Sequence, residues 1–183
     1  MKRIEFFIIA ILLCFNADGK NHHFRHIGIA DGLSQVCIYS IYQDELGAVW
    51  VGTSEGLNRY NGEDAKAFSL SSAGLGIPNR EISRVTGDKN GHLYILSGRN
   101  LVMMDIYHEK FQVLIRDKAR AFCCHKDTLW VACGNEICKF VPGRDNIPQK
   151  VGDLSNKGSC VDMLVEGDSL YIATYDRLIA APC

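Results

Sequence analysis

The side chains best able to do chemistry are thiols and imidazoles, and their spacing decides what they can hold. Cys123-Cys124-His125 precede Cys133 and Cys138, while His22, His23 and His26 cluster near the start. Zinc knuckles set their cysteine pairs two residues apart so that both sulfurs reach one tetrahedral ion; no cysteine pair here has that spacing. Cys37, Cys123, Cys133 and Cys160 fall at strand positions, where a thiol serves as a small buried apolar group. The histidine cluster reads as a solvated tail. Asp44, Asp88 and Asp105 stand in turn sequences, where a short carboxylate bonds its own backbone. No Gly-x-Ser-x-Gly elbow, phosphate-binding glycine loop or His-Glu-x-x-His occurs. These residues therefore predict no catalytic group, no metal site and no cofactor, and they name no ligand-binding residue.

The elements are more legible than the chemistry. Trp50, Tyr94, Trp130 and Tyr171 each have apolar neighbours on both sides and an aliphatic residue seven positions on, at Leu57, Leu101, Ile137 and Leu178. The copies lie 44, 36 and 41 residues apart, a period that belongs to stacked supersecondary units. Val49, Leu93, Leu129 and Leu170 precede the aromatic, and Val51, Ile95, Val131 and Ile172 follow it. Successive strand side chains point to opposite faces, so these segments are apolar on both. Such a strand belongs in a sheet covered on each side.

One copy gives the unit. Residues 37–43, 48–53, 57–60 and 66–70 read as strands, separated by the turn sequences 44–47 and 54–56 and by Asn61-Gly62, a strong hairpin signal. Four antiparallel strands in some 40 residues make one propeller blade. The expected fold is all-β, with about four four-stranded units at 32–70, 76–115, 118–154 and 158–183. The last of these lacks an outermost strand. Phe24, Gly32, Ile38 and Trp50 are spaced as Phe68, Gly76, Ile82 and Tyr94, which predicts an orphan outermost strand at 24–27.

At these residues a family likeness emerges. Asp31-Gly32-Leu33-Ser34, the run from Asp44 to Thr53 and the run from Gly56 to Gly62 resemble the two-component regulator propeller repeat. That repeat fills the periplasmic sensor region of hybrid two-component systems in gut Bacteroidetes. The resemblance is close in the first copy, moderate in the second and weaker in the last two. It implies rings of seven blades, followed in intact members by a β-sandwich, a membrane span and a kinase. It also implies oligosaccharide sensing and self-association of the intact sensor. Only four units are present here, so the expectation is an incomplete arc of a seven-bladed propeller, an N-terminal fragment of such a sensor. A closed four-bladed ring is the alternative.

The start of the chain has the marks of an export signal. Met1-Lys2-Arg3 is basic, residues 4–15 are mostly apolar, and Ala17 and Gly19 place small residues for cleavage after Gly19. Residues 1–19 are thus expected to leave, and 20–183 to act in the periplasm. The apolar core is too short to span a bilayer, and no later stretch does so. Net charge is −1. Without a basic patch, nucleic acid is not an expected partner.

Two function classes follow. One is a non-enzymatic sensing or binding module; the other is a propeller enzyme acting on polysaccharide, which would need carboxylates converging on one face. Arg59, Met103, Lys139 and Ala180 share one repeat column yet differ in chemistry, which favours the non-enzymatic class.

Overall fold

The computed structural model describes residues 24–77, 81–145 and 147–183. The first sheet runs β1 (Ile38–Gln43), β2 (Val49–Thr53), β3 (Gly56–Tyr60) and β4 (Ala65–Phe68), in chain order. The second is β5 (Arg84–Gly87), β6 (His92–Ser97), β7 (Asn100–Asp105) and β8 (Lys110–Ile115). The third is β9 (Ala119–His125), β10 (Thr128–Cys133), β11 (Glu136–Phe140) and β12 (Gln149–Asp153). The fourth has three strands, β13 (Cys160–Glu166), β14 (Ser169–Thr174) and β15 (Leu178–Pro182). All neighbours are antiparallel, so each sheet is a meander. This is an all-β propeller arrangement of four blades, with β1, β5, β9 and β13 innermost.

The repeat columns become the walls between blades. Trp50 and Leu57 pack against Ile82, Val85 and Ile95 of the second blade. Tyr94 and Leu101 meet Phe122 and Val131 of the third. Trp130 and Ile137 meet Met163 and Ile172 of the fourth. Each blade thus has an upstream face that receives the preceding blade and a downstream face that carries the aromatic. Gly52 shows how tight the fit is: a Cβ there would lie 2.7 Å from the Ile82 carbonyl oxygen.

The same columns show where this packing stops. On the upstream face, Val85, Phe122 and Met163 are 4%, 0% and 2% exposed, but the matching Ile41 is 65% exposed. On the downstream face, Leu57, Leu101 and Ile137 are 0%, 0% and 2% exposed, but Leu178 is 70% exposed. The fourth blade and the first therefore do not bury these columns against one another as the other neighbouring blades do.

Two sequence expectations need correction. Residues 24–27 form no strand. An outermost strand requires the edge of a preceding sheet, and the chain instead lays 28–36 over the upstream face of the first blade. Leu33 is buried there, Ser34 N donates to Asn58 Oδ1 at 2.8 Å, and Ser34 Oγ meets Thr53 Oγ1 at 3.0 Å. Gly32 turns the segment with a φ of 98°, at a place where any Cβ would strike the Ala65 carbonyl. Asn61-Gly62 does not make a two-residue hairpin either. Asn61 Oδ1 accepts from Glu63 N and Asp64 N, both at 2.9 Å, and this side-chain turn widens the loop to residues 61–64.

Candidate functional site

The innermost strands bring one pair of columns to the axis. Tyr39, Ser83, Arg120 and Val161 form the first, and Ser40, Arg84, Ala121 and Asp162 form the second; with Leu96 they line a cavity of about 410 Å3. Strand alternation places them: residues opposite Gly52, Leu96, Ala132 and Ala173 of the second strands lie beside the axis. Arg84 donates to Asp162, tying the second blade to the fourth. Among the described residues, Arg120 has no salt-bridge or hydrogen-bond partner, and it lines the funnel with Tyr39 and with two serines tied to backbone: Ser40 Oγ accepts from Val85 N at 2.9 Å and Ser83 Oγ donates to the Leu96 carbonyl at 3.2 Å. Two guanidinium groups against one carboxylate make the lining cationic. Such a lining holds carboxylates or hydroxyl-rich ligands through charge-assisted bonds. It offers no pair of carboxylates for acid–base work, because Asp162 stands alone and is engaged by Arg84.

The carboxylates of the turns have a structural task. Asp44 Oδ1 accepts from Leu46 N at 3.0 Å and Ala48 N at 2.9 Å, and Oδ2 accepts from Trp50 Nε1 at 2.7 Å. Asp88 repeats this: Oδ1 accepts from Asn90 N at 2.8 Å and His92 N at 3.2 Å, and Oδ2 accepts from the Tyr94 hydroxyl at 3.1 Å. Burial pushes the Asp88 carboxyl up, but the Asn90 and His92 bonds outweigh it and hold the group below its ordinary pKa. Tyr94 is shifted the opposite way, its phenol raised by burial and then by the Asp88 charge. Asp105 closes the turn after β7, accepting from Tyr107 N at 2.9 Å and His108 N at 3.0 Å.

The thiols are packing groups in most cases. Burial raises Cys123 and Cys133 to about 12 and Cys124 and Cys160 to about 11. Cys37 departs from expectation: it lies just before β1 and is exposed, because the upstream face it borders has no preceding blade. Cys123 and Cys124 alternate across β9, so their side chains leave on opposite faces. Among the described residues, no three His, Cys, Asp or Glu side chains gather as metal ligands. His22 and His23 lie outside the described residues, as does the proposed signal at 1–19.

The mixed column also has a logic that its residue types conceal. Register sets Arg59, Met103, Lys139 and Ala180 directly opposite Trp50, Tyr94, Trp130 and Tyr171. Of these four aromatics the tryptophans receive cations: Arg59 lies 5.7 Å from the Trp50 ring centre and Lys139 lies 5.0 Å from that of Trp130. The signal was the constant nine-residue offset combined with aromatic identity.

Comparison with known proteins agrees with this architecture. The family model described as two component regulator propeller matches residues 32–55. Over 65 residues the chain is 40% identical to histidine kinase P4 of Formosa agariphila, a match covering 36% of this chain and 5% of the kinase. The extracellular domain of BT3049 of B. thetaiotaomicron, designated a hybrid two component system, superposes with a TM-score of 0.68 at 20% identity, over 86% of this chain and 25% of that one. Virginiamycin B lyase from Staphylococcus aureus superposes at 0.59 with 13% identity, over 78% of this chain and 50% of the lyase. The chain therefore spans a small part of its curated relative and of that extracellular domain. Among the described residues, no helix is long and apolar enough to cross a membrane. Residues 32–55 match the two component regulator propeller model, and the chain as a whole has the propeller fold seen in the extracellular domain of BT3049.

Proposed function

We propose that the chain is a ligand-sensing portion of an exported two-component propeller, binding carbohydrate without transforming it. The observation that carries this reading is the repeat at 32–55, set in a propeller whose structural relatives include an extracellular sensor domain. The axial funnel supports it, with Arg84, Arg120 and Tyr39 lining one cavity. Binding there would shift a two-state equilibrium of a larger sensor by differential affinity. The basic start and apolar core of residues 1–15 support export, with the acting chain beginning at Lys20.

Titration calorimetry with a galacturonate disaccharide and with cellobiose tests the binding step. The expected result is binding of at least one sugar, weakened tenfold or more by Arg120→Ala, with no cleaved product on prolonged incubation. Catalytic release of product would instead make the chain an enzyme; silence from both sugars would remove the carbohydrate assignment.

A further inference from the structure

The axial cavity holds a carboxylate of its own. Asp162 is the acidic side chain among the residues that line it. Its Oδ1 accepts from Arg84 and also from Met163 N at 2.7 Å, so the backbone fixes where the carboxylate meets the guanidinium. Arg120, on the inner strand between those of Arg84 and Asp162, has no partner among the described residues. The three charges converge, because the Cys160 thiol feels each of them. Burial raises that thiol, Asp162 raises it further, and Arg84 and Arg120 pull it back. The bridge itself lies half open to water, its side chains 35% and 55% exposed, and ion pairs of that kind contribute little. One guanidinium thus has a weak internal partner and the other is free.

We propose that Asp162 is an internal stand-in for a ligand's carboxylate, and that acidic ligands enter the funnel by displacing it from Arg84. This rests on the reading of the funnel as the binding site and adds its selectivity, which is for ligands carrying a carboxylate. The exchange is of like for like, since the Arg84 fork of donors suits a second carboxylate in shape and charge. Asp162 keeps its bond from Met163 N and turns toward water, losing only an exposed ion pair. The incoming group meets Arg120 as well as Arg84, whereas Asp162 bonds Arg84 alone. That second guanidinium is what lets the ligand win. A neutral sugar brings no charge to compete and leaves the bridge in place. Because the bridge ties the second blade to the fourth, acidic ligands have a differential affinity for the untied state.

Titration calorimetry on the full chain with citrate, a galacturonate disaccharide and cellobiose tests this, repeated with Asp162→Asn and Asp162→Glu. Asp162→Asn keeps an oxygen for Met163 N while removing the charge, and circular dichroism should show it folded. It is expected to bind both acids about tenfold more tightly than the parent, with cellobiose unchanged. Asp162→Glu restores the competitor and should return acid binding to the parent's range. An equal gain for cellobiose would mean a structural role and would overturn the proposal. So would acid binding that Asp162→Asn leaves unaltered, or its absence from both parent and variant. Citrate binding that strengthens while no form binds either sugar would uphold the displacement and remove the carbohydrate assignment. Sugars bound without regard to charge in every form would do the reverse.

Discussion

At the scale of single residues, the turn aspartates and the aromatics they hold act as clamps. The bond from Trp50 to Asp44 is buried. Asp44→Ala is therefore expected to destabilise by about 1–3 kcal/mol, the usual cost of orphaning a buried donor, as read from urea unfolding. Asp88 makes a prediction in pH. Its folded carboxyl sits below the ordinary value, so it contributes stability above about pH 4 that is lost as pH falls through the folded pKa. Asp88→Asn should flatten that acid limb of the stability curve; an unchanged limb would mean the carboxylate is not linked to folding. Tyr42 argues in the other direction, because its buried hydroxyl has no hydrogen-bond partner among the described residues. Tyr42→Phe should be neutral or stabilise by up to about 1 kcal/mol, and a loss in the melting midpoint would show that the hydroxyl is satisfied. Thiol labelling follows exposure and pKa together: Cys37 should react quickly with an aromatic disulfide, and Cys123 and Cys133 only on unfolding.

At the scale of elements, equivalent positions differ only in what lies against them. Ile82→Ala should cost about 2–5 kcal/mol because it empties a buried site. Ile38→Ala, in the same column, should stay within about 0.5 kcal/mol when measured on dilute single chains. Equal losses at the two positions would mean the first blade's upstream face is covered. The strands were legible because Trp50, Tyr94, Trp130 and Tyr171 sit among residues apolar on both faces, a pattern that fits only a layered sheet. The hairpin at Asn61 was misread because a side-chain turn competes with the backbone turn, and residue type alone does not choose between them. The funnel was not legible at all. Tyr39, Ser83, Arg120 and Val161 share no chemistry, and their convergence comes from the common register of four separate hairpins. The strand expected at 24–27 was read from spacing that is real, but spacing cannot say whether an edge is there to receive it.

At the scale of the whole molecule, three well-packed walls between blades end in two open faces. A chain whose open faces find each other gains stability by mass action, so its melting temperature should rise with protein concentration. Calorimetric scans across a hundredfold dilution would check this; a midpoint independent of concentration would mean that the faces remain unpaired. Solubility follows the same logic, because contiguous exposed apolar surface promotes association unless it is covered.

The meandering order of the sheets has a kinetic consequence. Each hairpin pairs with its chain neighbour and each blade touches the one made just before it, so no early segment must wait for a distant one. The polypeptide can assemble vectorially, locking in one layer at a time as it leaves a narrow conduit. Arrest of synthesis after residue 115 should accordingly leave a protease-resistant two-layer core rather than an unstructured stub.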